Sequence, residues 1–250
     1  MPERDKGISY LQFDVFRGLP VTHGVFRRYG GESPPPFDSL NVSYGVGDEA
    51  DNVRKNRRHI KRALGLRVLV SARQVHGDRV LVVDSMPTGD FEAAEYDGLI
   101  TDQPGVGLMV QQADCQAVLL AEKRGRAVGI CHSGWRGSVA NIISSTIRAL
   151  EIHFAVGPED LVAAISPSLG PCCAEFVNYR SELPEPFWKL RQEGDLFDFW
   201  TISALQLRDA GVDPGNIGMA SICTVCDKDF FSYRRQRVTG RFASVIGISS

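Results

Sequence analysis

Two histidines and a cysteine, His76, Cys115 and His132, stand in short polar islands within otherwise apolar surroundings: Gln74-Val75-His76-Gly77, Ala113-Asp114-Cys115 and Cys131-His132-Ser133-Gly134-Trp135-Arg136-Gly137. Imidazole nitrogen and thiolate sulfur are ligands that zinc takes, and three protein ligands with an open fourth position are the arrangement of catalytic zinc. Each of the three residues lies where an apolar segment gives way to a loop, a place that holds geometry while leaving one side open. Taken singly, His76 reads as a surface loop residue, Cys115 as a small buried hydrophobe and His132 as a helix-entry residue. Their neighbours favour chemistry. Asp114 adjoins Cys115 and could serve as an acid. The run Ser133-Gly134-Trp135-Arg136-Gly137-Ser138 reads as a strand-to-helix turn whose free N–H groups, with Arg136, would hold a phosphate or carboxylate.

A competing reading makes Cys115 a nucleophile and His132 its base, as in a metal-free cysteine hydrolase, but it gives His76 no task. A thiolate held by zinc is shielded from attack on substrate, so the two roles exclude each other. Cys223-Thr224-Val225-Cys226, with Cys172-Cys173 available, invites a structural zinc. A lone C-x-x-C is weak evidence for one, and the expectation is of reduced thiols. The H-x-E followed by P-C-x-x-C pattern of zinc deaminases is absent.

The elements that must position these residues are legible from periodicity. Asp51 to Leu64 carries Val53, Ile60 and Leu64 at helical spacing and stops at Gly65, with a basic run from Arg54 to Arg62 expected to be a solvated face. Val68–Val75, Arg79–Asp84, Asp97–Asp102, Val106–Gln111, Ala117–Glu122 and Arg126–His132 read as strands, several too uniformly apolar to be half-exposed. The stretch 21–47, with Gly30-Gly31 and Pro34-Pro35-Pro36, reads as surface loops joining short strands. A helix over Ser138–Phe154, a strand over Leu161–Ile165, helical segments near 186–192 and 199–210, and strands over 217–223 and 242–248 complete the order. The fold class expected is α+β, of α/β/β/α type, with central mixed β-sheets flanked by helices in a single domain spanning residues 1–250.

Composition narrows the function. A net charge of −2, with 43% hydrophobic and 23% charged residues, argues against a chain that wraps nucleic acid or coats an anionic membrane, and for a small-molecule partner. The first residues hold no apolar run, and no stretch of about 18 apolar residues occurs anywhere, so a soluble, cytoplasmic protein is expected. Six cysteines without a secretion signal read as thiols rather than a disulfide framework. Nothing in the composition sets the oligomeric state.

The three islands, together with Gly170-Pro171-Cys172-Cys173 and Phe230-Phe231-Ser232-Tyr233-Arg234-Arg235, resemble the signatures of the YfiH/laccase-domain family, also called polyphenol oxidase or multicopper-laccase-like. Arg28-Tyr29-Gly30-Gly31-Glu32-Ser33, Ser39-Leu40-Asn41, Gly47-Asp48 through Asn56-Arg57, and Thr239-Gly240-Arg241 fit the same family, in order along nearly the whole chain. Ala117, Ser133 and Ala174 depart from residues common there, which bears on substrate preference. The resemblance implies sheets flanked by helices and a zinc bound by His76, Cys115 and His132. It implies purine nucleoside phosphorylase activity on adenosine, inosine and methylthioadenosine, with phosphate as co-substrate and adenosine deaminase as a second activity. Arg28, Asn41, Tyr233 and Arg234, with Arg136, become expected substrate contacts. The laccase label is tested by counting: the chain has five histidines, too few for the imidazole-rich shell of a multicopper centre, although a single copper could take the same three ligands and support oxidoreductase chemistry.

Overall fold

The computed structural model describes residues 7–249, and statements about the structure refer to those residues. In chain order the strands are β1 (Tyr10–Leu11), β2 (Val21–Phe26), β3 (Val68–Arg73), β4 (Val80–Val83), β5 (Phe91–Ala94), β6 (Gly98–Thr101), β7 (Val106–Gln112), β8 (Gln116–Glu122), β9 (Val128–Ser133), β10 (Leu161–Ile165), β11 (Ile217–Met219) and β12 (Phe242–Ile248). The helices are α1 (Ala50–Ala63), α2 (Trp135–Ala140), α3 (Ile142–Phe154), α4 (Tyr179–Glu182) and α5 (Phe199–Asp209). Two six-stranded mixed sheets result, ordered β1-β2-β12-β7-β3-β5 and β11-β10-β8-β9-β6-β4.

The uniformly apolar strands are buried on both faces, which explains why they do not alternate. Val70, Leu108 and Ile246 of the first sheet meet Leu119, Ile130 and Ala164 of the second in one central core. The outer face of the second sheet, with Val118, Leu120 and Cys131, is covered by Ile143, Ile147 and Leu150 of α3 and Leu207 of α5. The outer face of the first, with Leu69, Met109 and Val245, is covered by Ile60 of α1 and by Leu64. The four layers are those expected of an α/β/β/α arrangement, and none of the helices is long and apolar enough to cross a membrane.

Three local readings change. The stretch 21–47, read as loops joining short strands, opens with a six-residue strand inside the first sheet, β2, which pairs with β12 from Val21 to Val25. The helix expected over Ser138–Phe154 is two helices: Asn141 adopts a left-handed conformation (φ 56°, ψ 53°), ends α2, and caps α3 by accepting from the Ser144 N–H. The basic face of α1 is not wholly solvated, because Arg57 turns inward, donating to the Val42 carbonyl at 2.8 Å and pairing with Glu92 at 2.6 Å.

Candidate metal centre and its two cavities

The sheet registers bring the three islands to one end of the sandwich. β3 and β7 run parallel in the first sheet, so His76, just past β3, and Cys115, just past β7, leave from the same edge. β8 and β9 run antiparallel in the second sheet, and the Gln116↔Ser133 pair sets the start of β8 beside the end of β9, where His132 lies. The ligand atoms of His76, Cys115 and His132 all fall within 4.8 Å of one another. The Cys115 Sγ to His76 Nε2 distance is 3.8 Å, and the two imidazole rings sit 4.8 Å apart between centroids. Donor atoms held about 2.0–2.3 Å from a common tetrahedral ion are separated by about this much.

Asp97, at the entrance to β6, fixes both histidines. Its Oδ1 lies 2.9 Å from His132 Nδ1 and accepts the His76 N–H at 2.9 Å, while Oδ2 accepts from Gly77 at 2.8 Å and Val75 at 3.1 Å. With Nδ1 committed to a carboxylate, His132 presents Nε2 to the cluster, the arrangement that orients metal-binding histidines. His76 reaches this position in the left-handed region, φ 63°, which turns its N–H toward Asp97. Burial works against the Asp97 carboxylate, but the bond with His132 and the backbone N–H groups hold it below its ordinary value.

Electrostatics favour a thiolate. Burial pushes the Cys115 thiol up, yet His132 and then His76 outweigh it and bring it to about 6. Burial pulls His132 down, but Cys115 and Asp97 raise it to about 9. Two imidazoles and a thiolate with the second nitrogen of His132 already engaged fit a zinc or single copper ion with a free coordination face. Cys131, one residue earlier, faces the helix side of β9, where burial raises its thiol to about 12; it is an inert core residue.

Cys115 opens onto two cavities. One, of about 390 Å³, is walled by Trp135, Phe176, Phe199, Glu175 and Arg234, with Asp114 at its edge. The other, of about 560 Å³, is lined by polar and apolar groups together, among them His76, His132, Gln74, Glu92, Arg73 and Arg241. Ala113, Cys115 and Tyr233 border both. The Arg241 guanidinium is largely buried there; desolvation lowers its affinity for its proton, against the pull of Cys115, Asp114 and Tyr233.

The expected substrate contacts divide. Tyr233 and Arg234 border the cavities. Arg136 does not: it is exposed, and its guanidinium lies 4.2 Å from the centroid of the Trp135 ring. The turn beside it caps a helix of only six residues starting at Trp135, three residues before the expected start, so the expected phosphate cradle is not formed by a long helix dipole. Asn41 is fully buried, donating to Asp48 at 2.9 Å and accepting the Arg241 N–H at 2.8 Å, so it positions Arg241 rather than facing either cavity. Arg28 is spent on the Asp38 carbonyl at 2.8 Å and on the Phe231 ring. Asp114 accepts from Thr224 Oγ1 at 2.8 Å and from the Arg234 N–H at 2.6 Å, tying the 224–234 segment to the centre. Gln111 and Gln112, without an evident role in the sequence, are brackets: Gln111 exchanges bonds with Gln74, and Gln112 donates to Ser166 at 2.8 Å and to the Cys115 carbonyl at 3.2 Å. Asp97 and Arg241 were not identified as site residues from sequence; only the Thr239-Gly240-Arg241 match hinted at the second.

Comparison with known proteins follows the same lines. A family model described as multi-copper polyphenol oxidoreductase laccase matches residues 22–249. A relative named purine nucleoside phosphorylase YlmD, from Geobacillus stearothermophilus, is 35% identical over 243 residues, covering 90% of this chain and 89% of that protein. One named purine nucleoside phosphorylase YfiH, from Escherichia coli, is 34% identical over 231 residues, covering 88% and 90%. The crystal structure of YlmD from Geobacillus stearothermophilus superposes with a TM-score of 0.87 at 30% identity, covering 99% of this chain and 98% of that one. By matched length, sequence and fold, the chain belongs to the YfiH/YlmD laccase-domain family.

Proposed function

We propose that the protein is a zinc-dependent purine nucleoside phosphorylase that acts on adenosine, inosine and methylthioadenosine, with adenosine deamination as a second activity. The observation that carries the reading is the position of Cys115, at the boundary between an aromatic cavity suited to a purine ring and a second cavity lined by His76, His132 and two arginines. The names of the relatives support the phosphorylase part of it.

In this reading the base stacks among Trp135, Phe176 and Phe199, and phosphate lies on the other side with Arg241 and Arg73. An ion held by His76, Cys115 and His132 supplies fixed positive charge beside the reacting atoms. A phosphate oxygen forms the new bond to the sugar C1′ as the glycosidic C–N bond breaks, and the proton of hydrogen phosphate goes to the departing base. The chain's contribution is to orient the two substrates and to offset charge near the stretched bond. Tyr233, which borders both cavities, contacts the sugar between them. Asp114, whose two oxygens both accept hydrogen bonds, holds the wall in place.

Multicopper oxidation finds no ligand shell in this fold. His23 accepts the Phe13 N–H at 2.8 Å, His59 pairs with Glu32 at 3.2 Å, and His153 lies in the last turn of α3, so only His76 and His132 converge. A single copper at the same ligands, or a metal-free Cys115–His132 pair, are the alternatives the test must separate. Untagged protein is expected to carry zinc and to release hypoxanthine from inosine only when phosphate is present. His76→Ala should lose that metal and at least 100-fold in kcat/KM together. Turnover unchanged after chelation would overturn the zinc reading in favour of the cysteine pair.

A further inference from the structure

A second cluster of soft ligands lies outside this centre. Cys172 and Cys173 sit in the turn after Gly170-Pro171, and Cys223 and Cys226 in the turn after β11; Cys172 and Cys226 are 54 residues apart in the chain. All four sulfur atoms lie within 4.8 Å of one another. Cys226 Sγ is 3.7 Å from Cys172 Sγ and 3.6 Å from Cys173 Sγ. Four thiolates about 2.3 Å from one tetrahedral zinc have sulfurs about 3.8 Å apart, close to the spacing seen, whereas a disulfide would need two of them at about 2.05 Å.

The surroundings are arranged for such a site. The Gly170 N–H donates to Cys223 Sγ at 3.3 Å, and the Val225 and Cys226 N–H groups point at the same sulfur. A side chain at Gly170 would strike Cys223 Cβ at 2.8 Å, so only glycine lets the two turns meet. The turns are also paired through their backbones: Ser168 donates to Ile222 O at 3.1 Å and Thr224 to Ser168 O at 2.9 Å. Cys172 and Cys226 are exposed, which gives an ion a path of entry.

We propose that Cys172, Cys173, Cys223 and Cys226 bind one zinc ion in a closed structural site, distinct from the centre at His76, Cys115 and His132. Its role follows from what the two turns carry. The first leads into Glu175 and Phe176 and the second into Tyr233 and Arg234, all four of which wall the aromatic cavity. Thr224, between Cys223 and Cys226, donates to Asp114, and Arg234 reaches back to the carbonyls of Cys173 at 3.4 Å and Glu175 at 3.3 Å. The ion cross-links the two halves of that wall and sets the cavity's width. A closed four-thiolate shell has no open position, so the site holds structure and takes no part in turnover.

Elemental analysis of untagged protein, purified with reductant from zinc-supplied cells, tests this. We expect two zinc ions per chain, one after Cys226→Ser, one after His76→Ala and none when both are combined. If the His76 centre held no zinc, wild type would carry one ion and Cys226→Ser none, so the two sites fail separately. In wild type, which needs no variant to fold, iodoacetamide should spare all four cysteines until a chelator removes the metal. Protease should then cut within residues 170–176 and 223–235. Immediate alkylation of Cys172 and Cys226 in zinc-supplied protein, a disulfide between any two of the four, iron in place of zinc, or zinc content unaffected by Cys226→Ser would each overturn the proposal.

Discussion

The Asp97 carboxylate orients both candidate histidine ligands, His132 at its ring nitrogen and His76 at its backbone N–H, so the residue with the widest influence on the centre is not one of its ligands. Replacing it by Asn keeps the shape but removes the charge that fixes the His132 tautomer. Asp97→Asn should weaken zinc binding by about 10–100-fold, read by chelator competition, with the fold retained. This carboxylate was hidden in the sequence because it is 35 residues from the histidine it serves, and an isolated acid before a strand carries no signature. The three candidate ligands were legible because each type is scarce and each stands at the end of an apolar run. Asn41 and Arg28 show the reverse: their motifs were recognised, but burial and hydrogen bonding make them supports of Arg241 and of the loop around Asp38.

At the scale of elements, the entry to α2 is the tightest constraint on the site. A Cβ at Gly134 would lie 2.8 Å from Cys115 Sγ and 2.9 Å from His76 Cδ2, so the helix start must be bare for the ligands to meet. Gly134→Ala should lower zinc affinity at least tenfold while moving the thermal midpoint by no more than a few degrees. β2 sets a different limit. His23 on that strand is buried between Phe13 and Phe16, its Nε2 accepting the Phe13 N–H, and burial lowers it from 6.5 to about 4. Because the unfolded chain takes up a proton near pH 6.5 and the folded one does not until about pH 4, stability falls as pH drops through that window. The His23 share of that loss is about 3 kcal/mol, measured as the difference between wild type and His23→Leu in urea titrations at pH 7 and pH 4. His23→Leu should remove that dependence, while costing about 1–3 kcal/mol at pH 7 through the stranded Phe13 N–H. Strands such as β7, β8 and β12 were legible from their apolar runs. β2 was obscured by His23-Gly24 and its turn-rich sequel, and the break at Asn141 by apolar residues that keep helical spacing across it.

For the whole molecule, the four-layer arrangement was legible because strands buried on both faces and one-sided helices admit few packings. What the sequence withheld was coincidence in space. The four cysteines come from turns brought side by side by the parallel β10–β11 pair and its continuation from Ser168 to Cys223, and no local pattern joins them. The aromatic cavity likewise gathers Trp135, Phe176 and Phe199 from three separate segments.

In the proposed reaction the boundary formed by Ala113, Cys115 and Tyr233 gives base and phosphate a chamber each. Neither reactant then has to queue behind the other. Initial-rate measurements with both concentrations varied should give intersecting double-reciprocal lines, the pattern of a ternary complex filled in either order. Parallel lines, the mark of a substituted-enzyme cycle, would mean that one chamber serves both.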